Sequence, residues 1–143
     1  MNRVSEILGD KGRAVLEIEA GATVLDAVRQ MVDANVGSLL VKHDGEIAGI
    51  VSERDYLRRV ARHGPTGEEV TVGEIMSSPL IVVGPETSID ECMALMTDRR
   101  IRHVPVVEGA DVVGIVSIGD VVKFKSKQQS FEIRYLTDYI TAG

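Results

Sequence analysis

A single cysteine, Cys92, is the whole of the chain's thiol content. No intrachain disulfide can hold the fold, and a reducing, cytoplasmic setting is expected. Basic charge is also short: 16 Lys and Arg stand against 22 Asp and Glu, a net charge of −6. That balance argues against a general nucleic-acid binder and against an anionic-membrane binder. No apolar run approaches the ~20 residues a membrane helix needs, and Met1-Asn2-Arg3-Val4-Ser5-Glu6 has no hydrophobic signal-peptide core. No His/Cys/Asp cluster has metal-ligand spacing, and there is no P-loop, GxGxxG or Ser/His/Asp arrangement. The expectation is a non-enzymatic chain without a metal. Cys92 lies between Glu91 and Met93 in a helical pattern and reads as a small buried residue rather than a nucleophile. His43, in a turn, and His63, at a helix end, are expected to face solvent. With 143 residues and 44% apolar content, the chain can bury the core of one domain.

What the sequence does contain is a repeat. Gly49-Ile50-Val51-Ser52-Glu53-Arg54-Asp55 returns 65 residues later as Gly114-Ile115-Val116-Ser117-Ile118-Gly119-Asp120. A β-branched run after Gly reads as the end of a buried strand, and Ser followed three residues on by an acid reads as a helix start close to a capping box. Each copy is therefore a strand running into a helix N-terminus. Unpaired amides and a positive dipole there favour a phosphate, Ser adds a hydroxyl donor, and Asp adds an acceptor pair suited to ribose hydroxyls. Simple capping explains the same residues, and an internal repeat duplicates caps as readily as sites.

The rest of each repeat follows the same order. Val4 to Leu8 predicts a short helix matched by Val72 to Met76, and Val15 to Ile18 a short strand. Thr23 begins a helix with Val24, Ala27, Val28, Met31 and Val32 on one face, ended by Asn35. Val36 to Val41 reads as a buried strand, Asp44-Gly45 as a hairpin turn, and Ile47 to Val51 as the answering strand. A helix runs from about Glu53 to Arg62. In the second pass the expected elements are a strand over Leu80 to Val83 and a helix over Ser88 to Thr97. A hairpin of Ile101 to Val107 and Val112 to Val116 and a helix from Ile118 to about Lys125 complete it. Each pass is β-α-β-β-α. About 60 residues of this kind leave sheet faces open, so neither half should stand alone. The fold class expected is α+β, two repeats packed sheet to sheet with pseudo-twofold symmetry. The first repeat takes 1–66, the second 67–127 and a C-terminal helix 128–143, and the two strand-to-helix turns face a shared cleft.

These residues, with Tyr56 and Val121 extending the two copies and with Arg102-His103-Val104-Pro105-Val106-Val107, resemble a tandem pair of cystathionine-β-synthase (CBS) domains, a Bateman module. The resemblance covers Val4 to about Phe124. It implies a regulatory role and an adenosine-containing ligand: AMP first, or ADP, ATP, NAD(H) or S-adenosylmethionine. Carried over by position, it implies one site made of Ser117, Asp120 and Ile115 with Ala14 to Leu16 and Val36, Gly37, Ser38 and Leu39. There Asp120 would hold ribose, Ser117 phosphate and Ile115 a face of the adenine, with backbone near Ala14 and Leu16 reading the adenine edge. It implies a second site made of Ser52, Arg54, Asp55 and Ile50 with Pro79 to Ile81 and with Arg102, His103, Val104 and Pro105. Where the second strand has Arg102-His103-Val104-Pro105, the first has Gly37-Ser38-Leu39-Leu40, and Arg54 is matched by Gly119. The extra basic groups thus fall on one site. Arg99 and Arg100 are read as a solvated helix end.

The tail lies outside the repeat. Lys123 to Gln129 reads as a polar join, and Phe131, Tyr135 and Tyr139 then fall at i, i+4, i+8, three of the chain's five aromatics. This is an amphipathic helix in search of an apolar surface, its own domain's or a second subunit's. Tyr56, Leu57, Val60 and Ala61, and Val121, Val122 and Phe124, carry more apolar surface than one sheet can cover. A homodimer is expected, as the resemblance also implies, and beyond it an unidentified regulated protein. A ligand-free structural dimerisation module is the competing function.

Overall fold

A computed structural model describes residues 2–11, 15–65, 69–78 and 80–142, with side chains through Ser130 other than those of Asp10 and Lys11. The chain divides into two compact units, residues 14–81 and residues 1–13 with 82–143.

In the unit of residues 14–81, Thr23 caps α2 (Val24–Ala34) by accepting the Asp26 amide on its hydroxyl. Asn35 closes the helix in the left-handed conformation at φ 55°, where Asn is one of the few tolerant residues. Strand β1 (Glu17–Glu19) pairs in parallel with β2 (Ser38–His43), and β2 pairs antiparallel with β3 (Glu46–Ser52). Asp44 and Gly45 both have positive φ, which a two-residue hairpin turn of matching twist requires. A bulge between Val41 and Lys42 breaks the register opposite Gly49. Helix α3 (Glu53–His63) follows β3 directly. Helix α4 (Val72–Ile75) closes the unit: Val72 is fully buried with Ala27, Met31, Leu39, Val41 and Val51. Its Glu74 carboxylate accepts from the Thr71 amide and hydroxyl, and those bonds hold its carboxyl below the usual carboxylate range.

The other unit repeats this plan. Helix α5 (Ile89–Arg99) is capped by Ser88, and β4 (His103–Glu108) pairs antiparallel with β5 (Asp111–Ser117), with a bulge between Val106 and Val107 opposite Gly114. The part that α4 plays in the first unit falls here to α1 (Val4–Lys11). Its Val4, Ile7 and Leu8 join a core with Ile89, Cys92, Met96, Val104, Val106, Val116 and Val121. Cys92 is fully buried, and burial pushes its thiol pKa up. His43 and His63 are exposed.

Two expected elements come out differently. The strand over Leu80 to Val83 is reduced to one parallel bridge, in which Val83 donates to Pro105 and accepts from Val107. The following Gly84-Pro85 cannot extend it, because Pro has no amide to pair. The tail is not a separate helix. Helix α6 runs unbroken over Ile118–Ala142, through the polar join. Residues 126–130, Ser-Lys-Gln-Gln-Ser, contain no Gly or Pro to stop it. Lys125 pairs with Asp90 of α5, and Gln128 donates to Asn2. The side chains of Phe131, Tyr135 and Tyr139 lie outside the described residues.

Candidate functional site

The two strand-to-helix turns are built alike, each within its own unit. Ser38 pairs across the sheet with Ser52, and His103 with Ser117. The first amide of each helix donates to the residue just before the neighbouring strand: Glu53 to the Gly37 carbonyl at 3.1 Å, and Ile118 to the Arg102 carbonyl at 2.8 Å. Each Ser–Asp pair forms the reciprocal cap. The Ser52 amide donates to Asp55 Oδ2 at 2.9 Å, and the Asp55 amide to Ser52 Oγ at 3.4 Å. The Ser117 amide donates to Asp120 Oδ2 at 2.8 Å, and the Asp120 amide to Ser117 Oγ at 3.1 Å.

The capping reading is thus realised in both copies, with a consequence for phosphate. Two amides of each helix start are already used within the fold, so an anion there gains less from the helix end than its position suggests. The Ser52 hydroxyl donates to Asp55 Oδ2 at 3.1 Å and would have to turn to reach a phosphate.

Both expected ligand sets draw on both units. In the unit of residues 14–81 the fold brings Gly37 and Ser38 beside Ser52, with Ile50 two residues back on β3 and Arg54 and Asp55 on the first turn of α3. Among the described residues, Ser38 and Asp55 are the polar or charged residues buried there. Leu39 is fully buried in the core, so only its backbone can serve a ligand. Leu16 is half-buried and accepts the Leu40 amide, Ile81 is half-buried, and Val36 lines a groove between α2 and α3. Ala14 and Pro79 lie outside the described residues. In the other unit Arg102, exposed, and His103, half-buried, stand beside Ser117 and Asp120, and Pro105 pairs with Ile115. Val104 is fully buried in the core, limiting it likewise to its backbone. Among the described residues no His, Cys, Asp or Glu group could hold a metal ion.

Sequence reasoning missed Ser77. Its hydroxyl donates to Asp55 Oδ1 at 3.1 Å, and Arg58 Nη1 stands 3.9 Å from the same oxygen. The signal was in the 68-residue offset, which sets Ser77 against Gly9.

A family model described as "CBS domain" matches residues 4–62 and 72–127. The chain belongs to the CBS-domain family. It holds a tandem CBS pair, the regulatory type of module, and no catalytic family is indicated. The chain is 41% identical to the CBS domain-containing protein CBSX3, mitochondrial, of Arabidopsis thaliana, over 98% of this chain and 72% of that protein. The crystal structure of the CBS-domain protein ATU1752 from Agrobacterium tumefaciens is 34% identical with a TM-score of 0.80, covering 85% of this chain and 91% of that one. The CBS pair of protein MJ0100, solved with 5′-methylthioadenosine and S-adenosyl-L-methionine, shares the fold at a TM-score of 0.76 and 23% identity, over 88% and 97% of the two chains. No helix among the described residues is long and apolar enough to cross a membrane.

Proposed function

We propose that this CBS pair is a regulatory sensor of adenine nucleotides, AMP foremost and ADP or ATP alongside, which acts by changing its contacts with a partner protein rather than by catalysis. The observation that carries this reading is the duplicated turn, which sets a Ser hydroxyl and an Asp carboxylate at the start of α3 and again at the start of α6. Asp55 and Asp120 hold ribose, Ile50 and Ile115 flank the base, and Arg54, Arg102 and His103 serve phosphate. The adenosyl compounds named with the MJ0100 pair fit the same ligand class and keep S-adenosylmethionine in the test, with NAD(H) as the other adenosine-containing alternative. The proposed setting is the cytoplasm; the Arabidopsis relative carries the word mitochondrial in its name.

A thermal-shift panel of AMP, ADP, ATP, NAD, NADH and S-adenosylmethionine identifies the ligand, since a molecule that binds only the folded state raises stability by mass action. Calorimetry on the Asp55→Ala and Asp120→Ala variants then tests the sites. Each substitution should weaken its own site by about 1.5–3 kcal/mol, the scale of a hydrogen bond to a charged group, and leave the other intact. Unchanged affinity and stoichiometry in both would reduce the pair to helix caps and favour a structural module.

The assembly we propose is a homodimer through the repeat-ending helices. Leu57 is 62% exposed, Val32 72% and Val122 59%, and Val32 and Leu57 line the groove between α2 and α3. Apolar surface of this kind marks interfaces. Deleting residues 129–143 should weaken the dimer without unfolding the chain, as read by light scattering and circular dichroism. A full-length chain that is monomeric at micromolar concentration refutes the assembly.

A further inference from the structure

Asp55 has more partners than a capping residue needs. Its Oδ2 accepts from the amide and the hydroxyl of Ser52, which completes the cap. Its Oδ1 accepts from Ser77 Oγ at 3.1 Å, a residue 22 positions on and outside the helix. An ionised carboxylate offers about four acceptor directions. Oδ2 is filled and Oδ1 keeps one. Arg58 Nη1, 3.9 Å from Oδ1, is beyond hydrogen-bond reach. The Ser77 bond gives the carboxylate a second anchor, on Oδ1, beside the two bonds on Oδ2.

Ser77 is itself held firmly. Its amide donates to the Ile50 carbonyl at 2.8 Å, the Ile50 amide returns a bond to the Ser77 carbonyl at 3.1 Å, and Ser78 Oγ donates to the Ala48 carbonyl at 3.1 Å. One residue therefore ties together Ile50, Asp55 and the segment leading to Pro79 and Ile81. Gly9, its counterpart 68 residues earlier, has no side chain to offer.

We propose that Ser77 is a positioning residue of the Asp55 site: it fixes Oδ1 so that the open acceptor direction receives a ribose hydroxyl. This rests on the reading of Asp55 as the ribose ligand.

The test is calorimetry on the full chain in an Asp120→Ala background, which leaves the Asp55 site to be read, with AMP and 2′,3′-dideoxy-AMP as probes. Ser77→Ala should weaken AMP about five- to tenfold, less than the loss of a whole hydrogen bond to a charged group because Ser77 acts through Asp55, and dideoxy-AMP no more than about twofold. Ser77→Thr, which keeps the hydroxyl, should restore AMP binding. Ser77→Cys, close in shape with a weak donor, gives the same split if Ser77→Ala folds poorly by circular dichroism. Equal losses for both probes would make Ser77 merely structural, and unchanged or tighter AMP binding would make it idle or a competitor; each overturns the proposal. Asp55→Ala in the same background separates the two levels. If it abolishes the preference for AMP over dideoxy-AMP while Ser77→Ala leaves that preference intact, only the role of Ser77 falls. If Asp55→Ala itself leaves the preference intact, or AMP does not bind the unmutated chain, the ribose reading falls and this one with it.

Discussion

Leu8→Ala should destabilise the protein by about 2–5 kcal/mol, the range for deleting a buried leucine, and Gly114→Ala in that background should recover part of the loss. Leu8 is 1% exposed and sits in the core with Val4, Ile7, Val104, Val106 and Val116. A Cβ on Gly114 would lie 2.5 Å from Leu8 Cδ2 and 3.3 Å from Cδ1. The leucine therefore fills the space that any side chain at 114 would claim. Alone, Gly114→Ala overpacks that contact and costs about 1–3 kcal/mol. Combined with Leu8→Ala, its methyl enters the cavity, so the double variant should be more stable than the two separate costs imply, by about 0.5–3 kcal/mol for residues in contact. Denaturant unfolding of the four proteins measures the coupling. Strict additivity would show that the two positions do not share that space.

Gly49→Ala should cost about 3 kcal/mol, and no single side-chain truncation should relieve it. The equivalent contact here is made of backbone. A Cβ on Gly49 would stand 2.6 Å from the Ser77 carbonyl oxygen and 2.9 Å from Met76 Sδ. The carbonyl accepts from the Ile50 amide, and the Ser77 amide donates back to Ile50. It cannot retreat without loosening both bonds. Met76→Ala removes the softer obstacle only, so it should rescue Gly49→Ala far less than Leu8→Ala rescues Gly114→Ala. Comparable rescue in the two pairs, read from the same unfolding curves, would refute the distinction.

Much of this arrangement was legible in the residues. The 3.6-residue spacing from Val24 to Val32 gave α2, Thr23 and Asn35 gave its ends, Asp44-Gly45 gave the hairpin, and the duplicated Gly-x-x-Ser-x-x-Asp placed both helix starts. These are local signals, set by propensity, capping and turn chemistry. What stayed hidden depends on distant neighbours. Val4 to Leu8 shows an apolar stripe, but nothing in it says that the stripe packs on a strand a hundred residues away. Gly49 and Gly114 were legible as motif letters, whereas the reason for glycine, a second segment pressed against the bulge, is tertiary. Ser77 looks like linker until its hydroxyl is seen on Asp55. The strand over Leu80 to Val83 failed for a local reason, the Gly84-Pro85 pair, and the join in α6 failed to break for the opposite one.

The place of α1 has a consequence for biosynthesis. Its apolar residues, Val4, Ile7 and Leu8, leave the ribosome about a hundred residues ahead of their core partners from Val104 to Val121. At about 5–20 residues per second, the stripe waits on the order of 5–20 s for those partners. Residues 14–81, by contrast, form a continuous stretch that holds the strands and helices of its own unit and has emerged before those partners do. The other unit joins segments about a hundred residues apart, so its core forms only once β5 and the start of α6 have emerged, and a chain terminated before them carries an uncovered α1.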